Sequence, residues 1–148
     1  MSRRNNFRVR TKRVLNERVG GLCSNPTCQR LTSGPAKNLE ESERMGTAAH
    51  ITAAAFGGPR FEDSINVETR RSAVNGIWLC EKCHCMVDNQ DGDETAAENF
   101  PVDMLQDWKT RAERATLERL HPGLTPEEYC KKCPDLYLPW PTAGNDGY

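Results

Sequence analysis

The stretch Asn75-Gly-Ile-Trp-Leu-Cys80-Glu-Lys-Cys83-His84 decides how the rest of the chain is read. Ile77 to Cys80 is a compact apolar run, which predicts a short strand. Cys83 begins a short helix that Asp91-Gly92-Asp93 is expected to end. Cys80 and Cys83 have the spacing of a metal knuckle, and a second pair, Cys23 and Cys28, lies upstream around the turn signal Asn25-Pro26. Four thiolates satisfy tetrahedral zinc. Such a site closes the loop between residues 28 and 80 and supplies folding energy.

The chain needs that energy. It has 148 residues, 36% hydrophobic and 28% charged, and a mean hydropathy of −0.75. A chain this polar builds a thin core and calls for a staple. The cysteines number seven, an odd count at short paired spacings. That pattern fits thiolate ligation in a reducing, cytoplasmic compartment better than disulfides. No apolar run is long enough for a transmembrane helix, and the N-terminus lacks the apolar core of a secretory signal. No membrane partner is expected.

The net charge of −1 hides an asymmetry. Arg3, Arg4, Arg8, Arg10, Lys12, Arg13 and Arg18 crowd the N-terminus, while residues 85–107 carry acids and no base. A basic arm points to a polyanionic partner, or is simply a solvated tail.

Three segments are expected: a flexible basic arm over 1–10, a folded domain over 11–120 and an extended tail over 121–148. Thr11 caps a helix from Lys12 to Val19, ended by Gly20-Gly21. Residues 29–46 read as a loop or an irregular insertion, Thr47 to Thr52 as a short strand or a strand end feeding a loop, and Phe56 to Phe61 as turn. A short helical turn is expected within Glu62 to Asn75. Beyond Pro101, the spacing of Leu105, Trp108, Ala112 and Ala115 is the stripe of an amphipathic helix running to about Leu120. On that stripe Trp108 reads as a core anchor rather than a base-stacking platform.

Singly, His50, Asn75 and His84 have plain readings as packed, turn or surface residues. Together with Gly46-Thr-Ala-Ala-His50-Ile, Gly57-Gly58-Pro59-Arg60 and the two knuckles, the pattern resembles the zinc-bound subgroup of the HNH endonuclease family over about residues 7–112. The resemblance implies an α+β fold with a small ββα-metal core, stapled by zinc on Cys23, Cys28, Cys80 and Cys83. It also implies a catalytic divalent ion, Mg²⁺, Mn²⁺ or another. His50 falls at the position of the general base, Asn75 at that of the residue orienting it, and His84 at that of a ligand to the catalytic ion. Many members carry an Asp before the first His. Here that residue is Ala49, which has no ligand atom in its side chain.

Asp88 is the substitute candidate, because it lies one helical turn after His84; an ordinary surface acid is the equal alternative. Arg60, Arg70 and Arg71 either position phosphates or pair with Glu62, Asp63 or Glu68. Cys130 and Cys133, with Cys85 and His121, form at most a loose second set; two free thiols in a tail is the preferred reading.

The function expected from the resemblance is metal-dependent hydrolysis of DNA phosphodiesters, with His50 activating water. The nearest branch is that of restriction and anti-phage defence, with a homodimer or a regulatory protein as possible partner. The competing reading is a zinc-stapled DNA-binding or adapter module without catalysis, which Ala49 favours. An RNA-directed nuclease ranks lower, since the chain has no usual aromatic module for RNA.

Overall fold

A computed structural model of the chain describes residues 4–88, 95–125, 127, 128 and 131. These residues form a small α+β unit with two two-stranded antiparallel sheets. The element order is α1 (Val9–Arg18), β1 (Ser33–Pro35), β2 (Ser42–Arg44), β3 (Gly46–His50), α2 (Val67–Arg70), a 3₁₀ turn (Ala73–Asn75), β4 (Gly76–Cys80), α3 (Glu81–Val87), α4 (Ala96–Asn99) and α5 (Val102–Leu120).

β3 and β4 are the centre. They pair in register from Gly46 opposite Cys80 to His50 opposite Gly76. Their adjoining stretch forms the core: Ala49, Ile51, Ile77 and Leu79 are buried together with Val87 of α3 and Leu105 of α5. Phe100 and Trp108 pack on this cluster and meet edge to face, with ring centroids 5.9 Å apart. Trp108 is thus the core anchor that its spacing predicts.

α3 begins two residues earlier than Cys83, because Cys80 caps it: its Sγ accepts from the Cys83 N–H at 3.5 Å. α3 ends at Val87 with Asp88 as its cap residue, and Asp91-Gly92-Asp93 lies outside the described residues.

The N-terminus departs from expectation. α1 starts at Val9, before Thr11, and Thr11 does not cap it. The arm expected over 1–10 is docked from Asn5 onward. Asn5 N–H donates to the Ala54 carbonyl at 3.0 Å, and Phe7 is buried. Docking is possible because Gly76 has no side chain: a Cβ there would lie 2.5 Å from Leu15 and 3.1 Å from Phe7. α1 ends as expected, with Gly20 and Gly21 at φ of 60° and 75°.

The loop expected over 29–46 contains β1 and β2, joined in register from Ser33 opposite Arg44 to Pro35 opposite Ser42. Most of the extended tail expected over 121–148 lies outside the described residues. α1 and α5 are tied by Arg18, which clasps Glu113 through two hydrogen bonds of 2.9 and 2.6 Å. Lys109 bonds Glu113 at 3.1 Å and the Gly76 carbonyl at 2.8 Å. Among the described residues, no helix is long and apolar enough to cross a membrane.

Candidate functional site

Two neighbouring centres lie along α3. The first is the thiol cluster. The Sγ atoms of Cys23, Cys28, Cys80 and Cys83 all lie within 4.8 Å of one another. A tetrahedral ion at about 2.3 Å from sulfur needs neighbouring sulfurs about 3.8 Å apart; Cys28 and Cys80 are 3.8 Å apart. The donor set therefore suits a metal ion such as zinc.

Local structure explains the convergence. Leu22 and Leu31 form an isolated bridge, and Cys23 N–H donates to the Arg30 carbonyl at 2.9 Å, so the first knuckle is a tight loop. The second is the end of β4 and the first turn of α3. Asn25 joins them: its Nδ2 donates to Cys83 Sγ at 3.4 Å, while its Oδ1 accepts from Thr27 N at 3.1 Å.

Burial raises the Cys23 thiol to about 11 and also raises Cys83. For Cys28 burial pulls upward too, but the Arg30 N–H and the neighbouring thiols outweigh it and leave the thiol lowered. Binding a metal must then displace protons that Cys23 and Cys83 hold tightly, which makes affinity depend on pH.

The second centre is a cleft of about 250 Å³, lined by Arg4, His50, Ala53, Phe56, Pro59 and Asp88 among others. His50 ends β3 and is only 8% exposed. Phe7 stacks on its ring, with centroids 3.8 Å apart and planes 8° from parallel. Its Nε2 lies 2.9 Å from the Asn5 carbonyl oxygen. Burial lowers its pKa to about 4, although the Asn5 carbonyl and the Asp88 charge pull the other way. The imidazole is therefore neutral at physiological pH.

Asp88, at the end of α3, lies 2.9 Å from His84 Nε2 through its Oδ2. His50 and the His84–Asp88 pair thus converge through Asp88 on one cleft. Ala49, by contrast, is buried in the core opposite Ile77.

Asn75 is buried at the foot of β4 and uses its whole amide. Its Oδ1 accepts from Thr52 N at 2.9 Å and Thr52 Oγ1 at 3.0 Å. Its Nδ2 donates to the Thr52 and Arg70 carbonyls at 3.0 and 3.1 Å. It fixes the chain leaving β3, and no bond links it to the His50 ring.

The arginines differ from one another. The Arg60 side chain is 3% exposed, with Nε on the Ile51 carbonyl and Nη1 on the Val87 carbonyl, both at 2.8 Å. Its Nη2 lies 3.5 Å from Asp88 Oδ1. Arg70 is buried on the carbonyls of Ala53, Glu62 and Ile65, and its guanidinium sits 4.5 Å from the Phe61 ring centre. Backbone carbonyls thus hold both guanidinium groups in place. Arg71 bonds the Asn6 carbonyl at 3.3 Å in an exposed setting.

The sequence reading places Arg4 in the basic arm but misses Asn5 and Phe7. Phe7, the one aromatic among the N-terminal cations, is the signal that the arm docks. Cys130 and Cys133 lie outside the described residues. No family model matches the chain, and neither does any curated protein.

Proposed function

We propose that the protein is a metal-dependent DNA endonuclease of the HNH type, with zinc on the four cysteines as its structural staple. In this reading β3, β4 and α3 are the ββα-metal core. The observation that carries it is the His50 imidazole, buried, neutral and held by one nitrogen, in the cleft that Asp88 also lines.

A carbonyl oxygen only accepts, so the bond to Asn5 places the proton on His50 Nε2. Nδ1 then carries the lone pair. It is the nitrogen that takes a proton from water as that water attacks phosphorus and the 3′ oxygen leaves. Stacking on Phe7 holds the ring plane. Asn75 acts one step back, by holding Thr52 and so the end of β3.

His84 and Asp88 would hold the catalytic ion. Their Nε2 and Oδ2 lie 2.9 Å apart, close enough for both to serve one ion. When bound, such an ion supplies charge stabilisation at the leaving oxygen. Arg60 holds the Asp88 carboxylate from the other side. A regulatory partner or a second copy, and a role in restriction or anti-phage defence, belong to the same proposal.

Two observations favour the competing reading, a DNA-binding or adapter module without catalysis. Ala49 brings no second carboxylate, and His50 lies beneath Phe7. Supercoiled plasmid incubated with the protein and Mg²⁺, Mn²⁺ or Ni²⁺ separates the two. Nicking dependent on the ion supports the nuclease. Intact plasmid with every ion, together with retarded DNA in a gel, supports the adapter.

A further inference from the structure

Phe56 is 81% exposed at the mouth of the cleft that holds His50 and Arg4. Among the described residues it is the one aromatic of the large exposed hydrophobic side chains. The turn beneath it is firm. Gly58 N–H donates to the Ala55 carbonyl at 3.1 Å, and Gly57 takes φ 85°, which places Phe56 at the tip. Asn5 ties Ala54 on one side of that tip, and Arg60 ties the other side to Ile51 and Val87. Phe61 meets the ring edge to face, with centroids 5.6 Å apart at 76°. The ring is otherwise open to solvent.

The surroundings select the partner. Small residues, Ala53, Ala54 and Gly58, line the cleft beside the ring, and Arg4 stands at its wall. Arg8, Arg10, Lys12 and Arg13 follow it as exposed cations in sequence, Arg8 lying 3.8 Å from Glu68 and Arg13 3.8 Å from Glu17. Phe56 and Arg4 share this cleft, which Asp88 also lines; an aromatic face beside a cation can hold a nucleic-acid strand, with a base on the ring and a phosphate on the cation.

We infer that Phe56 is the stacking platform for an unpaired base of a DNA strand, with Arg4 on the adjoining phosphate. This rests on the proposed nucleic-acid cleft and narrows its substrate to DNA that is single-stranded or locally unpaired. A duplex offers no free base face to this ring.

The test is fluorescence anisotropy without added divalent ion, using a labelled single strand and the matched duplex. Wild type, Phe56→Ala and Phe56→Tyr are compared. Stacking is worth about 1–3 kcal/mol per base, so Phe56→Ala should weaken single-strand binding by about 5- to 150-fold. Phe56→Tyr should stay within about twofold, and the duplex should change less. Equal single-strand affinity for wild type and Phe56→Ala overturns the inference, as does an equal loss on both DNAs. Strand binding that depends on Phe56 in a protein that nicks nothing sinks the nuclease and leaves this contact standing. Nicking with strand affinity indifferent to Phe56 does the reverse.

Discussion

The Nε2 of His50 lies 2.9 Å from the carbonyl oxygen of Asn5, a residue that precedes it by 45 positions. One backbone atom of the N-terminal segment thereby sets the tautomer of the imidazole at the end of β3. That segment belongs to the candidate site, and the charge it carries arrives with it: Arg4 lines the same cleft.

The buried, neutral state of His50 has a consequence for stability. Its pKa falls from 6.5 to about 4 on folding, chiefly through burial. Above pH 6.5 both states are neutral and nothing is lost. As pH drops toward 4, the unfolded chain takes up a proton that the folded chain refuses, so stability falls by up to about 3 kcal/mol. Urea unfolding at pH 7.0, 6.0 and 5.0 should show this loss in wild type. His50→Asn should lose less over the same window, and parallel curves for the two proteins would contradict the account.

Cys80→Ser removes a sulfur that also caps α3. Zinc content, measured by mass spectrometry on the purified protein, should fall from about one ion per chain to well below it. The melting midpoint should drop by roughly 10 °C or more, as expected for a loss of about 3 kcal/mol. Unchanged zinc content would refute the four-thiol assignment.

Asn75→Ala leaves Thr52 and Arg70 without four hydrogen bonds in a buried setting. With buried groups unpaired at about 1–3 kcal/mol each and partial relaxation, destabilisation of about 3 kcal/mol is expected. Denaturant titration checks this. A change below about 0.5 kcal/mol would show that the amide does not hold the chain there.

Asp88→Asn keeps the shape of the residue but removes the charge that faces His84, Arg60 and the cleft. Half-activation of nicking by Mn²⁺ should require at least about tenfold more ion. A titration identical to wild type would remove Asp88 from the catalytic ion.

Much of this molecule is legible in its sequence because the chemistry is local. Cys80-x2-Cys83 can form its half of the thiol cluster only by turning within a few residues, and the apolar run Ile77 to Leu79 has one good use, a buried strand. The stripe around Trp108 is equally plain. What was missed depends on tertiary context. Ser33-Gly34-Pro35 has no strand propensity, yet it pairs because the first knuckle delivers it beside Ser42–Arg44. Arg60 and Arg70 look like surface cations until their backbone acceptors are known. Phe7 finds its place only because Gly76 leaves room for it.

The proposal stands most directly on one rate. Wild type and His50→Asn, matched for zinc content and folded fraction, are compared in the initial nicking of supercoiled plasmid with Mn²⁺ at pH 8. A general base contributes about 10²–10⁴-fold, so the variant should be slower by at least about a hundredfold while its zinc stays in place. Equal rates for the two proteins would contradict the assignment of His50 as the base.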